Sequence, residues 1–162
     1  MLKKSLNEKL TLIKSEHFPC VYRGSSKRYL VTLGVGGNLG DLPRRLKRLV
    51  HFFQRSELCD LIQTGPILKN PPFGYLDQDD FHNTVILVKT NLQPPAFLKY
   101  VLEVERKFGR KRSFANAPRT LDIDIIFYEN RKMNNKALTL PHPHWMQRES
   151  VVIPMAYMEQ YR

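Results

Sequence analysis

The stretch "APRTLDIDIIFY", residues 117–128, sets two aspartates, Asp122 and Asp124, in alternate positions of an apolar run. In an extended chain successive side chains point to opposite faces, so the two carboxylates share one face while Leu121, Ile123 and Ile125 share the other. Aspartate suits strands poorly, and two carboxylates about 7 Å apart repel by roughly 2 kcal/mol at an effective dielectric near 20. Such a strand must bury one face against other elements and turn the other to water or to a positive partner. Either the acidic face is the solvated side of an edge strand, or it holds a hard cation. Mg²⁺ is commonly bound by one or two carboxylates together with substrate phosphates.

Periodicity and chain breakers supply the surrounding elements. "RYLVTLGV" reads as a buried strand and "GGNLGD" as a tight turn into a helix. Asp41 is a good cap for that helix, Pro43 is tolerated in its first turn, and Leu42, Leu46, Leu49, Val50 and Phe53 form one apolar stripe. "DLIQTGPIL" makes a second strand, weakened near Gly65 and Pro66, and "KNPPFGYLDQDD" is a loop of breakers before the third strand, "FHNTVILVKT". "PPAFLKYVLEVERKFG" is a helix with Phe97, Val101, Val104 and Phe108 inward, stopped by Gly109. The order βαββαβ predicts an α+β, ferredoxin-like fold, in which both helices cover one face of an antiparallel sheet and the other face is free for a ligand. A short strand, a loop and a final helix are expected within "LTLPHPHWMQRESVVIPMAYM". Residues 1–27, with Leu2, Leu6, Leu10 and Ile13 at loosely helical spacing, read as an extension, weakly helical at most, with no part in the chemistry; one domain is expected over residues 28–162.

The balance of 26 Lys and Arg against 15 Asp and Glu, a formal charge of +11, calls for an anionic partner. No apolar run approaches a membrane span and the N-terminus lacks a secretory signal, so a cytoplasmic protein without a membrane partner is expected. Cys20 and Cys59 form no CxxC pair and read as plain thiols. "GVGGNLGD" fits neither phosphate-loop pattern. His142 and His144 in "LPHPHW" lack a third zinc ligand at a usual spacing and suit donation to phosphate better.

The loop "GRKRSFANAPR" places Arg110, Lys111, Arg112 and Arg119 directly before the acidic strand, as a Mg²⁺-bridged polyphosphate requires. Its small residues offer little packing, which predicts a mobile lid. Phe73, Phe81 and Asn83 either stack on and hydrogen-bond a flat heterocycle or serve the core and a turn. A ferredoxin-like RNA-binding module is the alternative from another class, allowed by the charge and an open sheet face. Its RNP1 pattern is absent and acid on that face opposes a nucleic-acid backbone, so no nucleic acid is expected.

"NPPFG" followed by "DQDDFHN", then "ExxxGR", "PRTLDIDI" and "LTLPH" in this order and spacing resembles the 6-hydroxymethyl-7,8-dihydropterin pyrophosphokinases of folate biosynthesis, over roughly residues 29–158. The resemblance implies transfer of pyrophosphate from ATP to the pterin hydroxymethyl group, release of AMP, and two Mg²⁺ ions, in a monomer. By motif position it implies Asp122 and Asp124 as metal ligands, with Arg110 and Arg119 acting on the transferring phosphates. It implies Asn83 on the pterin edge, Phe81 on its face, and Asn70, Pro71 and Phe73 lining that pocket. Glu105, Arg112, Arg119, Ile125, Thr139, His142 and Arg148 would hold ATP. Two features depart from the family pattern. Ser150 stands where a second stacking aromatic is usual, with Trp145 as the candidate replacement. The arginine loop is also a residue shorter than usual, with Asn116 where some members carry an aromatic.

Overall fold

The computed structural model describes residues 1–158, so the last positions of the domain expected over residues 28–162 lie outside the described residues. In chain order the elements are β1 (Leu2–Ser5), β2 (Thr11–Lys14), β3 (Cys20–Val21), β4 (Tyr29–Gly37), α1 (Leu42–Arg55), β5 (Cys59–Thr64), β6 (Ile67–Asn70), β7 (Phe81–Thr90), α2 (Pro94–Lys107), β8 (Asp122–Tyr128), β9 (Met133–Asn134), β10 (Thr139–Leu140) and α3 (Glu149–Ala156). A 3-10 turn, Trp145–Gln147, precedes α3.

The first eight strands form one sheet, ordered β1-β2-β6-β7-β4-β8, with β5 on the other half of β7 and β3 on β5. Every pairing is antiparallel, and the expected βαββαβ order runs from β4 to β8. The second strand of that pattern is divided at Gly65 and Pro66. Proline offers no N–H to a ladder, so β5 ends, Gly65 donates to the Val85 carbonyl at 2.8 Å, and β6 resumes. Asp41 caps α1 by accepting from the Arg44 N–H at 3.2 Å, and the whole expected stripe of α1 is buried.

Val31, Leu33 and Val35 of β4, Ile86 and Val88 of β7, and Ile123 and Ile125 of β8 meet Leu46, Leu49 and Phe53 of α1 and Phe97, Val101 and Val104 of α2 in the main core. The opposite sheet face is less open than the sequence implies. Val85, Leu87 and Ile126 point to that side and are covered by Val151 of α3 and by Met158. A bulge opposite Thr32 and Leu33 puts Ile126 and Phe127 on the α3 side and returns Tyr128 to the helix side. Three apolar side chains on one face need a cover; α3 supplies it and leaves uncovered the end of the face that carries the aspartates.

Residues 1–27 are not helical. β1 and β2 form a hairpin that extends the sheet beyond β6, and β3 adds to β5. β2 is buried on both faces, with Leu12 against Leu10 and Leu68 on the α3 side and Ile13 in the main core. Since Leu12 is 1% exposed, Leu12→Ala should cost about 2–4 kcal/mol in denaturant unfolding. A loss below about 0.5 kcal/mol would mean that the hairpin is not part of the cooperative fold.

Candidate active site

Strand register builds the site. Asn83 of β7, Gly36 of β4 and Asp122 of β8 lie in one row across the sheet, and Val85, Gly34 and Asp124 lie in a second. Two strand spacings, about 10 Å, separate the Asn83 and Asp122 backbones. The glycines keep the floor between them low. A Cβ on Gly36 would fall 1.9 Å from Oδ1 of Asn83, and one on Gly34 would meet Ile126 at 3.3 Å and Val151 at 3.5 Å. Glycine inside a strand therefore marks a close approach here. Asn83 Nδ2 donates to Oδ1 of Asn70 at 2.7 Å, which holds the amide over that floor.

Above the floor lies a cleft of about 650 Å³ bordered by Asn70, Pro71, Phe73, Phe81, Asn83, Arg119, Asp122, Asp124 and Arg148, a size suited to small-molecule ligands. All five residues expected at a heterocycle thus meet both aspartates in one cavity. Phe81 lies under the Arg119 guanidinium, 5.3 Å from ring to Cζ. Phe73 borders the cleft but is 83% exposed.

Arginines answer the paired carboxylates. Arg110 donates to Asp122 Oδ1 at 2.8 Å, Arg119 to Asp122 Oδ2 at 3.3 Å, and Arg148 to Asp124 Oδ2 at 3.2 Å. Beneath them Glu105, its side chain only 3% exposed, accepts from the Ile123 N–H at 2.7 Å and from Arg112 at 3.0 Å, with Arg110 at 3.7 Å. Burial raises the Glu105 carboxyl above the usual range; the backbone N–H and the guanidiniums oppose that shift. Asp124 is pushed up to about 6, first by burial and then by the charge of Asp122, with Arg148 pulling it back. It still keeps 35% of its side-chain surface accessible, through the cleft.

The remaining nucleotide-assigned residues lie around this floor rather than in it. Arg110, Glu105 and Arg112 sit below or behind Asp122, and Ile125 points into the main core. Thr139 is in β10, and His142 beside it donates its N–H to the Ile126 carbonyl at 2.9 Å. Burial, and after it Arg148 and His144, lower the His142 pKa, which favours the neutral ring.

Trp145 does not replace the missing aromatic. It packs edge-on against Phe127, with ring centroids 5.0 Å apart, and is not among the residues bordering the cleft, whereas Ser150 is. The arginine loop also has more partners than its composition implies: Phe114 packs edge-on against Tyr75 at 5.2 Å, and Gln78 Nε2 donates to the Asn116 carbonyl at 2.9 Å.

Several site residues escaped the sequence reading. Gly36 belongs to β4 and not to the turn after it, and the close approach at Gly34, inside the expected strand, was not foreseen. Asn38, 4% exposed, donates to Gln78 and to the Asp79 carbonyl at 2.8 and 2.9 Å and accepts from the Arg119 N–H at 3.0 Å, so it ties both loops to the end of β4. Asn7, Lys9 and Leu10 of the N-terminal hairpin also border the cleft. An asparagine between glycines at a strand end was the available signal for the first group; the hairpin residues carried none.

Among the described residues no group of three or more His, Cys, Asp or Glu could hold a metal. Asp122 and Asp124 are a pair, and a hard cation between them needs further oxygens, which phosphates supply. A desolvated, mutually repelling pair fits that role. Chemically, the charge-bearing end of the cleft suits phosphates and the Phe81–Asn83 end suits a flat, polar-edged ring, the pattern of a phosphotransferase class of protein acting on a heterocyclic alcohol.

The family model of 7,8-dihydro-6-hydroxymethylpterin-pyrophosphokinase (HPPK) matches residues 32–160. The chain is 40% identical over 153 residues to the 2-amino-4-hydroxy-6-hydroxymethyldihydropteridine pyrophosphokinase of Helicobacter pylori, covering 91% of this chain and 93% of that protein. The enzyme of the same name from Campylobacter jejuni is 37% identical over 143 residues, 88% and 91% of the two chains, and that of Bacillus subtilis 30% over 124 residues, 76% and 74%. The protein belongs to this pyrophosphokinase family of folate biosynthesis. The Helicobacter match reaches into the first 27 residues, which the family model does not.

Asp124 makes a stability prediction for the metal-free protein. Its folded-state value of about 6 lies above the ordinary carboxylate value, so the native state keeps a proton that the unfolded chain loses, and stability falls as pH rises between those values. Asp124→Asn removes that penalty. In chelating buffer the variant should melt at or above the wild-type temperature at a pH of about 7.5, and the gap should close near pH ~4. A variant that melts lower at the higher pH would show that the Arg148 ion pair outweighs burial and repulsion.

Proposed function

We propose that the protein transfers the terminal pyrophosphoryl group of ATP to the hydroxymethyl oxygen of 6-hydroxymethyl-7,8-dihydropterin in a Mg²⁺-dependent reaction that releases AMP. One observation carries this reading: on a single sheet face the Asp122–Asp124 pair with its arginines adjoins the Phe81–Asn83 pocket, so phosphate handling and heterocycle recognition share one cleft. The hydroxymethyl oxygen attacks the β-phosphorus of ATP. The bond between that phosphorus and the oxygen bridging to the α-phosphate breaks, AMP leaves with the bonding electrons, and the hydroxyl proton passes to solvent. Such a transfer asks a protein for positioning and charge neutralisation more than for covalent chemistry.

Asn83, held by Asn70, would bond the polar edge of the pterin, and Phe81 would lie on its face, with Pro71 and Phe73 beside it. Two Mg²⁺ ions would be held by Asp122 and Asp124 together with phosphate oxygens, supplying charge neutralisation and alignment of attacking and leaving oxygens. Arg110 and Arg119, now on Asp122, would turn part of their donor capacity to the transferring phosphates. Arg112, Thr139, His142 and Arg148 would hold ATP on the β8 side. Glu105 would act there by fixing Arg110 and Arg112, and Ile125 by supporting the strand from its core side. The loop from Arg110 to Arg119 would close over bound nucleotide by adjusting its contacts with Tyr75 and Gln78. On this reading residues 28–162 carry the chemistry. The substrates are small and water-soluble, which suits a cytoplasmic monomer.

Mixing the protein with MgATP and the hydroxymethyl-dihydropterin should yield AMP in step with pterin consumption, and Asp122→Asn should lower that rate at least about a hundredfold. ADP in place of AMP would reject pyrophosphoryl transfer. A near-normal Mg²⁺-dependent rate in Asp122→Asn would reject the role given to the aspartates.

A further inference from the structure

The β1–β2 turn occupies a place that the chemistry above leaves unused. Thr11 pairs with Lys69 and Asn70 with Phe81, so Leu10 comes level with Asn70 and continues the row Asn70–Phe81 outward, away from the aspartates. Asn7, Lys9 and Leu10 border the same cleft as Asn83 and Asp122.

The turn is a built structure. Oδ1 of Asn7 accepts from the N–H groups of Lys9 and Leu10 at 2.8 and 2.9 Å, and the Ser5 hydroxyl donates to the Asn7 carbonyl at 2.9 Å. An asparagine side chain that bonds backbone groups ahead of it fixes a turn. Leu10 is buried with Leu12 and Leu68, and Ile153 of α3 packs on the same cluster. The turn is thereby seated against the helix whose first residues, Glu149 and Ser150, border the cleft where an aromatic is missing. Lys9 borders the cleft and is exposed, and among the described residues it forms no ion pair.

Ring orientation decides what Lys9 meets. The hydroxymethyl group must lie toward Asp122 and Asp124, so the opposite, pyrimidinone end of a flat pterin in the Phe81–Asn83 pocket points toward β6 and β2. That end carries the 2-amino group and N3–H, which donate, flanked by N1 and the C4 carbonyl oxygen, which accept; an ammonium only donates, so those two acceptors are the atoms open to it. We infer that the Asn7–Leu10 turn closes the pterin end of the cleft and that Lys9 is a specificity contact to the pyrimidinone edge of the ring. This inference rests on the pterin reading of the cleft given above.

Lys9→Met keeps most of the length of the side chain and removes its charge at an exposed turn position. Hydroxymethyl-dihydropterin should be titrated into the full chain in the presence of Mg²⁺ and α,β-methylene-ATP, with KM values for both substrates measured in parallel. Lys9→Met should raise the pterin Kd and KM by about tenfold, the range of a partly exposed charge-assisted hydrogen bond. The ATP KM should stay within about twofold of wild type, and Lys9→Arg should recover most of the loss. Unchanged pterin affinity in Lys9→Met, or an ATP KM that rises as much as the pterin KM, would overturn the inference. If the wild-type protein makes AMP while Lys9→Met is unaffected, only the role of Lys9 falls; if the wild type makes none, the reading of the cleft falls and this role with it.

Discussion

Two carboxylates on one face of a single strand are an unfavourable arrangement, and the surrounding structure answers them. Asp122 and Asp124 repel each other, and burial adds to the cost of charging Asp124. Arginines from three places in the chain reach them: Arg110 just after α2, Arg119 just before β8, and Arg148 at the start of α3. From a covered position below the strand, Glu105 takes Arg112 on Oε1, while its Oε2 accepts the Ile123 N–H and lies 3.7 Å from the first of these, Arg110. Burial still outweighs these donors and raises the Glu105 carboxyl, yet removing the acid would leave Arg110 and Arg112 without their buried counter-charge. On the proposed reading the guanidiniums already stand where a polyphosphate would bring negative charge, so little reorganisation would be needed during transfer.

The flat floor follows from the same strand pairing. Because β4 contributes Gly34 and Gly36 between β7 and β8, the amide of Asn83 and the carboxylate of Asp122 face each other over an empty strip of backbone. α3 roofs the apolar part of this face through Val151 and leaves the polar part open, which turns a sheet surface into a cleft. Asn38 at the end of β4 ties the loop after β6 and the loop before β8 together. The loop of breakers and the arginine loop are therefore anchored at one shared residue. The relatives from Helicobacter pylori and Campylobacter jejuni match this chain over more of its length than that from Bacillus subtilis does.

Local rules made much of this legible. The Asp41 cap and five-residue stripe of α1, the break at Gly65 and Pro66, and the shared face of the aspartates all depend on near neighbours in sequence, and all appear. The residues that the resemblance implied for the pterin, from Asn70 to Asn83, meet in one cavity because β6 and β7 pair. What failed depended on distant partners. Leu2, Leu6, Leu10 and Ile13 mimic a helical stripe, but β6 offers an unpaired strand edge, and pairing with it decides the conformation of residues 11–14. Gly36 reads locally as a turn residue, while its place is set by Asn83 on a neighbouring strand. Trp145 is near Ser150 in sequence, yet the 3-10 turn carries its ring to Phe127 on the far side of the bulge in β8. The apolar residues of β7 and β8 that face α3 were visible in the sequence, but which element would cover them was not.

If Asp122 and Asp124 form only half of a metal site and substrate phosphates complete it, divalent-cation binding must depend on nucleotide. Calorimetric titration of Mg²⁺ into the protein alone and into its complex with α,β-methylene-ATP tests this directly. Two carboxylates already paired with arginines should bind the cation weakly, and addition of the nucleotide analogue should tighten binding by at least about a hundredfold beyond that of the analogue free in solution. Equal Mg²⁺ affinity with and without the analogue, or nucleotide-dependent binding that survives replacement of both aspartates by asparagine, would contradict the account.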